Sequence, residues 1–234
     1  MWIINFLKSS IGRKLIMSLT GIFLCLFLVV HLIGNLQLLV PDGGETFNRY
    51  AYMMTHNPLI FIIALGNYFF ILTHAAQGIL ISLANKSAKS QKYAVSTNEN
   101  ASWASKNMMI LGILVLAFIC IHMGDFWFRM KAEGTFLGEG WVPMLTYEGI
   151  SEPVANLYDR VVITFSQLWI VIVYLIGLIA LAFHLNHGFA SAFQTLGLNH
   201  KKYTPIIKGI GTLYSYLIPI GFAIIPLYVY FTNR

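Results

Sequence analysis

The chain has 234 residues, of which 57% are hydrophobic and 10% charged, with a mean hydropathy of +0.70. That composition excludes an ordinary water-soluble domain, and the net charge of +6 argues for membrane topology and against nucleic-acid binding, because the basic residues gather on one side of the expected spans. Cys25 and Cys120 are isolated within apolar runs and no C-x-x-C-H occurs, which excludes a disulfide framework, a thiolate metal site and a thioether-linked haem.

Asp, Glu, Lys and Arg are absent from residues 15–41, 50–85, 107–124, 161–200 and 209–233. Each gap can hold roughly 18 to 25 apolar residues, enough to cross about 30 Å of hydrocarbon at about 1.5 Å per residue, so five transmembrane helices are expected. The first run is too long for a cleavable signal peptide, lacks a small-residue cleavage site and contains His31. After the second comes a polar stretch rich in Ser, Lys and Asn, residues 85–106, read as a loop. The third run is the shortest, and Phe126, Trp127 and Phe128 extend it into an interfacial aromatic belt. Residues 129–160 carry Gly, Pro and acids and are expected to form a small cap before the fourth and fifth runs. The expected architecture is all-α, an integral membrane bundle of five transmembrane helices forming a single domain over residues 1–234. No soluble domain, phosphate-binding glycine loop, flavin site or iron–sulfur site is expected within these residues.

With five spans, the N-terminus and the second and fourth loops share a side. That side holds Lys8, Arg13, Lys14, Lys86, Lys89, Lys92, Lys106, Lys201, Lys202 and Lys208 against the single acid Glu99. The other side holds Arg49, Arg129, Lys131, Arg160 and Arg234 against eight acids. The positive-inside rule then puts the N-terminus in the cytoplasm and the C-terminus outside, as expected for a bacterial inner-membrane protein, with a basic inner face suited to an acidic partner.

Histidine inside a span is uncommon and points to function. Four runs contain one: His31, His74, His122 and His184. His31 lies 17 residues past Lys14 and His122 lies 16 past Lys106, about 25 Å along two outward-running helices, in the outer half. His74 lies 17 residues past Asn57 with Lys86 twelve ahead, and His184 lies 24 past Arg160; both fall in the inner half. The expected pairs are His31 with His122 and His74 with His184, each gripping a buried cofactor between two imidazoles, for which haem b fits best. His74 and His184 each precede a glycine by four positions (Gly78 and Gly188), His31 has Gly34 three on, and His122 has Gly124 beside it, less regularly. A glycine one turn away removes a side chain where a flat macrocycle would press. His187 competes with His184, and His56 and His200 read as interfacial. Glycine in membrane helices also serves helix packing, and intramembrane histidines also serve as core or proton-relay residues.

Ser10-Ile-Gly-Arg-Lys14 running into Met17-Ser-Leu-Thr-Gly21, His31-Leu-Ile-Gly-Asn-Leu36, His74-Ala-Ala-Gln-Gly78 and His184-Leu-Asn-His-Gly-Phe-Ala-Ser-Ala-Phe-Gln-Thr-Leu-Gly197 together resemble the membrane-anchor cytochrome b subunit of succinate dehydrogenase and fumarate reductase, in its single-polypeptide form with five helices and two b haems. The resemblance covers nearly the whole chain. It implies the same histidine pairing and selects His184 over His187. It also implies a flavoprotein subunit and an iron–sulfur subunit as partners, menaquinone as the electron acceptor, and no dicarboxylate active site on this chain.

Two further residues are expected near the outer pair. Arg129, seven residues past His122, would lie two turns along the same face and meet a haem propionate, for which Arg49 and Arg160 are the other available cations. Glu45 follows the first span and would serve the protons of quinone reduction; the resemblance, loosely aligned there, implies an essential carboxylate near the outer haem. An inner quinone site would use Ser18, Thr20 or Gln77. The competing readings are another dihaem membrane cytochrome and a histidine-containing proton channel or transporter, the latter disfavoured because only Asp125 lies near a span and no duplicated half is present.

Overall fold

The computed structural model describes residues 2–88, 103–132 and 143–233. The helices are α1 (Trp2–Lys8), α2 (Ser10–Leu36), α3 (Glu45–His56), α4 (Pro58–Ala88), α5 (Trp103–Lys106), α6 (Met108–His122), α7 (Arg129–Ala132), α8 (Leu157–Phe165), α9 (Leu168–Thr195) and α10 (Thr204–Thr232). A short antiparallel hairpin, β1 (Met144–Leu145) with β2 (Val154–Ala155), pairs Met144 with Ala155 and Leu145 with Val154.

Five runs are long and apolar enough to cross a membrane: Ser10–Leu39, Pro58–Ser87, Met108–Phe128, Leu168–Thr195 and Thr204–Thr232. Their burial pattern is that of a membrane protein. Leu26, Ile33, Phe61, Phe69, Leu72, Ile176 and Leu213 are exposed, while Ser18, Thr20, Asn67 and Ser215 are buried. In water such exposed apolar surface would have to be covered by a partner; in hydrocarbon it is the solvated surface. Pro219 and Pro226 sit inside α10, a position tolerated far better in membrane helices than in soluble ones.

Two boundaries differ from those read off the charge gaps. The second gap opens at Tyr50, but its span starts at Pro58, beside the Asn57 from which the depth of His74 is counted, because the residue before proline is pushed out of helical geometry: Asn57 is extended (φ −87°, ψ 120°) and its Oδ1 accepts from Leu59 N at 2.9 Å. The fourth gap also holds two helices. α8 ends at Phe165 and α9 starts at Leu168. His184 therefore lies 16 residues past the start of its span, and His74 lies 16 past Pro58. The two depths agree more closely than the charge-based reckoning, which started His184's span seven residues too early. Of the polar loop expected at residues 85–106, α4 occupies the start and α5 the end; residues 89–102 lie outside the described residues, as do 133–142 of the expected cap.

The chain divides into two compact units. One comprises Met1–Phe27, Gly66–Val115 and Ala180–Leu217, the other Leu28–Leu65, Leu116–Ile179 and Ile218–Arg234, so each long helix contributes one segment to each. In the first unit, Phe23 on α2 meets Phe70 on α4 with ring centroids 4.5 Å apart, Phe189 on α9 meets Tyr214 on α10 at 5.5 Å, and the Tyr214 hydroxyl donates to the Cys25 carbonyl at 2.6 Å.

The second unit holds the main apolar core, which includes Leu38, Phe165, Val171, Tyr174, Ile225 and Val229. It also holds the expected cap, built around one asparagine. Asn48 on α3 is fully buried; its Nδ2 donates to Tyr147 Oη and to Asn156 Oδ1, each at 3.0 Å, and its Oδ1 accepts from Tyr158 N at 3.0 Å. One side chain thus ties α3, the hairpin and α8 together. Gly44, at φ +89°, starts α3 where an added Cβ would collide with the Tyr158 side chain at 2.1 Å, so both its backbone and its neighbour require glycine. Asn48→Ala should cost about 2 kcal/mol, since it strands three polar partners at once. A lower melting temperature in detergent, with faster proteolysis between residues 143 and 156, checks this.

Candidate functional site

Each unit brings together one histidine pair. In the second unit His31 on α2 faces His122 at the end of α6, ring centroids 5.8 Å apart and planes at 83°. In the first, His74 on α4 faces His184 on α9 at 6.1 Å and 66°. These are the pairs expected from depth. The ring contact with His74 is made by His184, not His187. His56 stacks on Tyr52 at 3.9 Å and donates from Nδ1 to the Tyr52 carbonyl, and His200 Nδ1 accepts from Lys202 N at 3.2 Å. Both are exposed, engaged in local helix-end bonding as expected of interfacial residues.

An imidazole nitrogen sits about 2 Å from a metal it ligates, so rings on opposite sides of one metal atom have centroids about 6 Å apart. Both pairs have that spacing. An edge-to-face ring contact has it too, so the donor chemistry must discriminate. Among the described residues no group of three or more His, Cys, Asp or Glu side chains converges on a metal position. A metal held by protein alone would want three or four such ligands; a haem, which brings four equatorial nitrogens, needs only the two found at each pair. His184 Nδ1 is moreover buried without a hydrogen-bond partner, an unsatisfied polar atom of the kind that functional sites retain. The residues present therefore fit a bis-imidazole haem.

Glycines do make room at the histidines, but not mainly the ones the sequence singled out. A Cβ on Gly34 would strike the Tyr50 ring at 2.6 Å, and on Gly78 and Gly188 would touch Met17 Cε at 3.4 Å and Met108 Cε at 3.6 Å. Those three pack against protein side chains. The glycines that face the rings are on neighbouring helices: Gly21 on α2, whose Cβ would lie 3.3 Å from His74 Cε1, and Gly112 on α6, whose Cβ would lie 3.8 Å from His184 Cε1. The sequence reading missed Gly112 because intrahelical spacing carries no information about the facing helix.

It also missed the polar partners. The Thr20 hydroxyl lies 3.1 Å from His74 Nδ1. Asn35 Nδ2 donates to the His31 carbonyl at 2.7 Å and lies 3.3 Å from His31 Nδ1. Around His122 the rings of Phe118, Phe126 and Tyr174 pack at 5.3–6.1 Å. Tyr174 donates its hydroxyl to Asp125 Oδ2 at 2.9 Å, and Arg160 Nε donates to the Asp125 carbonyl at 3.0 Å. Burial, and then the charge of Arg129, push the Arg160 guanidinium below its ordinary pKa. Asp125 was legible as the one acid near a span; nothing in the spacing signals Tyr174.

Arg129 does not follow His122 in the expected register. Residues Met123–Phe128 form a π-helix, where i→i+5 bonding widens the turn. A residue added to a turn rotates the remainder of the helix by roughly 100°, so position i+7 no longer returns to the face of His122. Such inserts often occur at functional sites. Glu45 opens α3 in the same unit as the His31–His122 pair; its Oε1 accepts from Arg49 Nε at 2.7 Å, and Arg49 Nη1 donates to the Glu148 carbonyl. Of the alternative quinone residues, Ser18 donates to the Lys14 carbonyl at 2.9 Å and Thr20 is engaged with His74, whereas Gln77 Oε1 is buried without a partner.

No family model, curated protein or solved structure matched the chain. Tyr174→Phe should cost about 1–3 kcal/mol by removing the donor to Asp125 Oδ2 inside an apolar span, read as a lower melting temperature of the purified protein.

Proposed function

We propose that this chain is the membrane-anchor cytochrome b subunit of a succinate:menaquinone oxidoreductase or fumarate reductase, exchanging electrons between an iron–sulfur partner and quinone through two b haems. The observation that carries the reading is the pair of histidine pairs: each of the two units of a five-span protein sets two imidazoles from different helices about 6 Å apart. A haem held by these imidazoles would supply one-electron transfer. His31 and His122 would hold one haem, His74 and His184 the other.

The remaining work belongs to side chains. The apolar and aromatic walls around His122 exclude water, which strengthens the polar contacts made inside. Arg160, whose Nε donates to the Asp125 carbonyl, is the candidate cation for the propionates of the haem on His31 and His122, Arg129 being turned off the face of His122 by the π-helix. Glu45 is the candidate for taking up and passing on the protons of quinone reduction. A quinone site beside His31 and His122 is the outer one expected from the sequence depths, away from the basic face suited to an acidic partner. The menaquinone specificity, the flavoprotein and iron–sulfur partners, and residence in a bacterial inner membrane with the N-terminus in the cytoplasm all belong to this proposal and rest on the sequence resemblance and the charge asymmetry.

The purified chain should give the reduced-minus-oxidised spectrum of a low-spin b cytochrome with two haems per chain, and should co-purify with a flavoprotein and an iron–sulfur protein. His184→Ala should halve the haem content and His187→Ala should leave it unchanged; the reverse pattern, or a colourless protein, sinks the assignment. Glu45→Gln should abolish electron transfer from succinate to quinone while leaving both haems and dye-coupled succinate oxidation intact. Normal quinone turnover in that variant rules Glu45 out.

A further inference from the structure

The two imidazoles of the His74–His184 pair are not equivalent. Thr20 is buried, and its one hydroxyl hydrogen is directed at the α2 backbone, to the Ile16 carbonyl at 2.8 Å and the Met17 carbonyl at 3.1 Å. A hydroxyl has one hydrogen and two lone pairs. With that hydrogen assigned to the backbone, the Thr20 oxygen meets His74 Nδ1 at 3.1 Å as an acceptor, which assigns the ring proton to Nδ1. A neutral imidazole holds one proton, which leaves Nε2 as a bare lone pair, the form a metal ligand requires. Gly21, the next residue on α2, faces the carbon between the two nitrogens: a Cβ there would lie 3.3 Å from His74 Cε1, so the ring edge is seated against α2 over both residues. His184 has no equivalent, because its Nδ1 is buried without a partner.

We propose that Thr20 is the positioning residue of this site: it fixes the tautomer and rotation of His74 before haem arrives, making His74 the preset ligand and His184 the one that completes the coordination. This rests on the haem reading above and adds to it a residue and an order of ligand readiness. Holding the second nitrogen of a ligating histidine orients the ring and raises its basicity, and loss of such a partner typically weakens binding 10–100-fold. Thr20 thereby leaves the list of quinone-site residues, since its hydrogen and an acceptor lone pair are both engaged within the protein.

The test uses the full chain with Thr20→Val, which keeps the shape and removes the acceptor, and Thr20→Ser, which keeps the hydroxyl. In haem-free protein, nitrogen NMR should report His74 protonated at Nδ1 in the unsubstituted chain and in Thr20→Ser, with that preference lost in Thr20→Val. In haem titrations Thr20→Val should bind the haem on His74 and His184 about 10–100-fold more weakly, with Thr20→Ser close to the unsubstituted protein. Retention of the haem on His31 and His122 in the same sample shows that the variant has folded. A His74 protonated at Nε2 in the haem-free chain, or unchanged haem affinity in Thr20→Val, overturns the role of Thr20 while leaving the haem reading in place. Failure of the unsubstituted chain to take up haem overturns both, and is seen before any substitution is made.

Discussion

Hydrocarbon offers no hydrogen-bond partner, and the rest of this structure depends on that constraint. Every backbone group in the spans must be satisfied within its own helix, which is why nearly all of the described chain is helical and why the hairpin and its turns are confined to the segments between spans. The same constraint sorts the side chains. Leucine, isoleucine and phenylalanine face outward at no cost, and a polar group is retained inside only where it has a partner or a task. Ser18, Thr20 and Ser215 meet the condition by donating to carbonyls of their own helices. The histidines cannot do this with both ring nitrogens, so each brings a need that its helix alone does not meet.

The histidines sit in pairs, and the surroundings of the two pairs differ. His122 sits in an aromatic cage and is followed at once by a π-helix, with Asp125, Tyr174 and Arg160 linked by hydrogen bonds one turn beyond it. An aspartate at the end of a span is held there by a phenol on its carboxylate and a guanidinium on its backbone carbonyl. His74 and His184 have a plainer setting: one hydroxyl, two facing glycines and the tips of methionines on neighbouring helices. A network with a carboxylate and a guanidinium at one pair and a mostly apolar setting at the other give the two pairs different electrostatic environments.

The cap illustrates a different economy. Outside the spans the chain gains stability from buried hydrogen bonding, and Asn48 concentrates it by satisfying donors and acceptors on the hairpin and on α8 from one position on α3. Asp42 steadies the start of that helix: its carboxylate accepts from Gly44 N and Thr46 N, and the Thr46 hydroxyl bond is the largest of the effects that hold its pKa below the usual carboxylate value. Glu45 and Arg49 lie on the same helix, half-exposed and joined by an i,i+4 ion pair that stabilises it only slightly.

Much of this was legible in the one-dimensional sequence, for a physical reason. Exclusion of charge from hydrocarbon acts on each residue separately, so five gaps in the charge pattern read directly as five spans, and distance along a helix converts to depth at a fixed rise. That was enough to pair His31 with His122 and His74 with His184. What the sequence could not carry was anything set by rotation about a helix axis or by the facing helix. The break at Asn57 and Pro58 and the second break between Phe165 and Leu168 carry no charged residue, so charge gaps pass over them. The π-helix after His122 turns Arg129 off its expected face, and only the backbone hydrogen bonds reveal it. Gly112 opposite His184, Thr20 against His74 and Tyr174 upon Asp125 are contacts between residues 49 to 72 positions apart, made when helices pack side by side. Depth is a property of one helix and is written in its sequence; orientation and partnership belong to pairs of helices and are decided only when they meet.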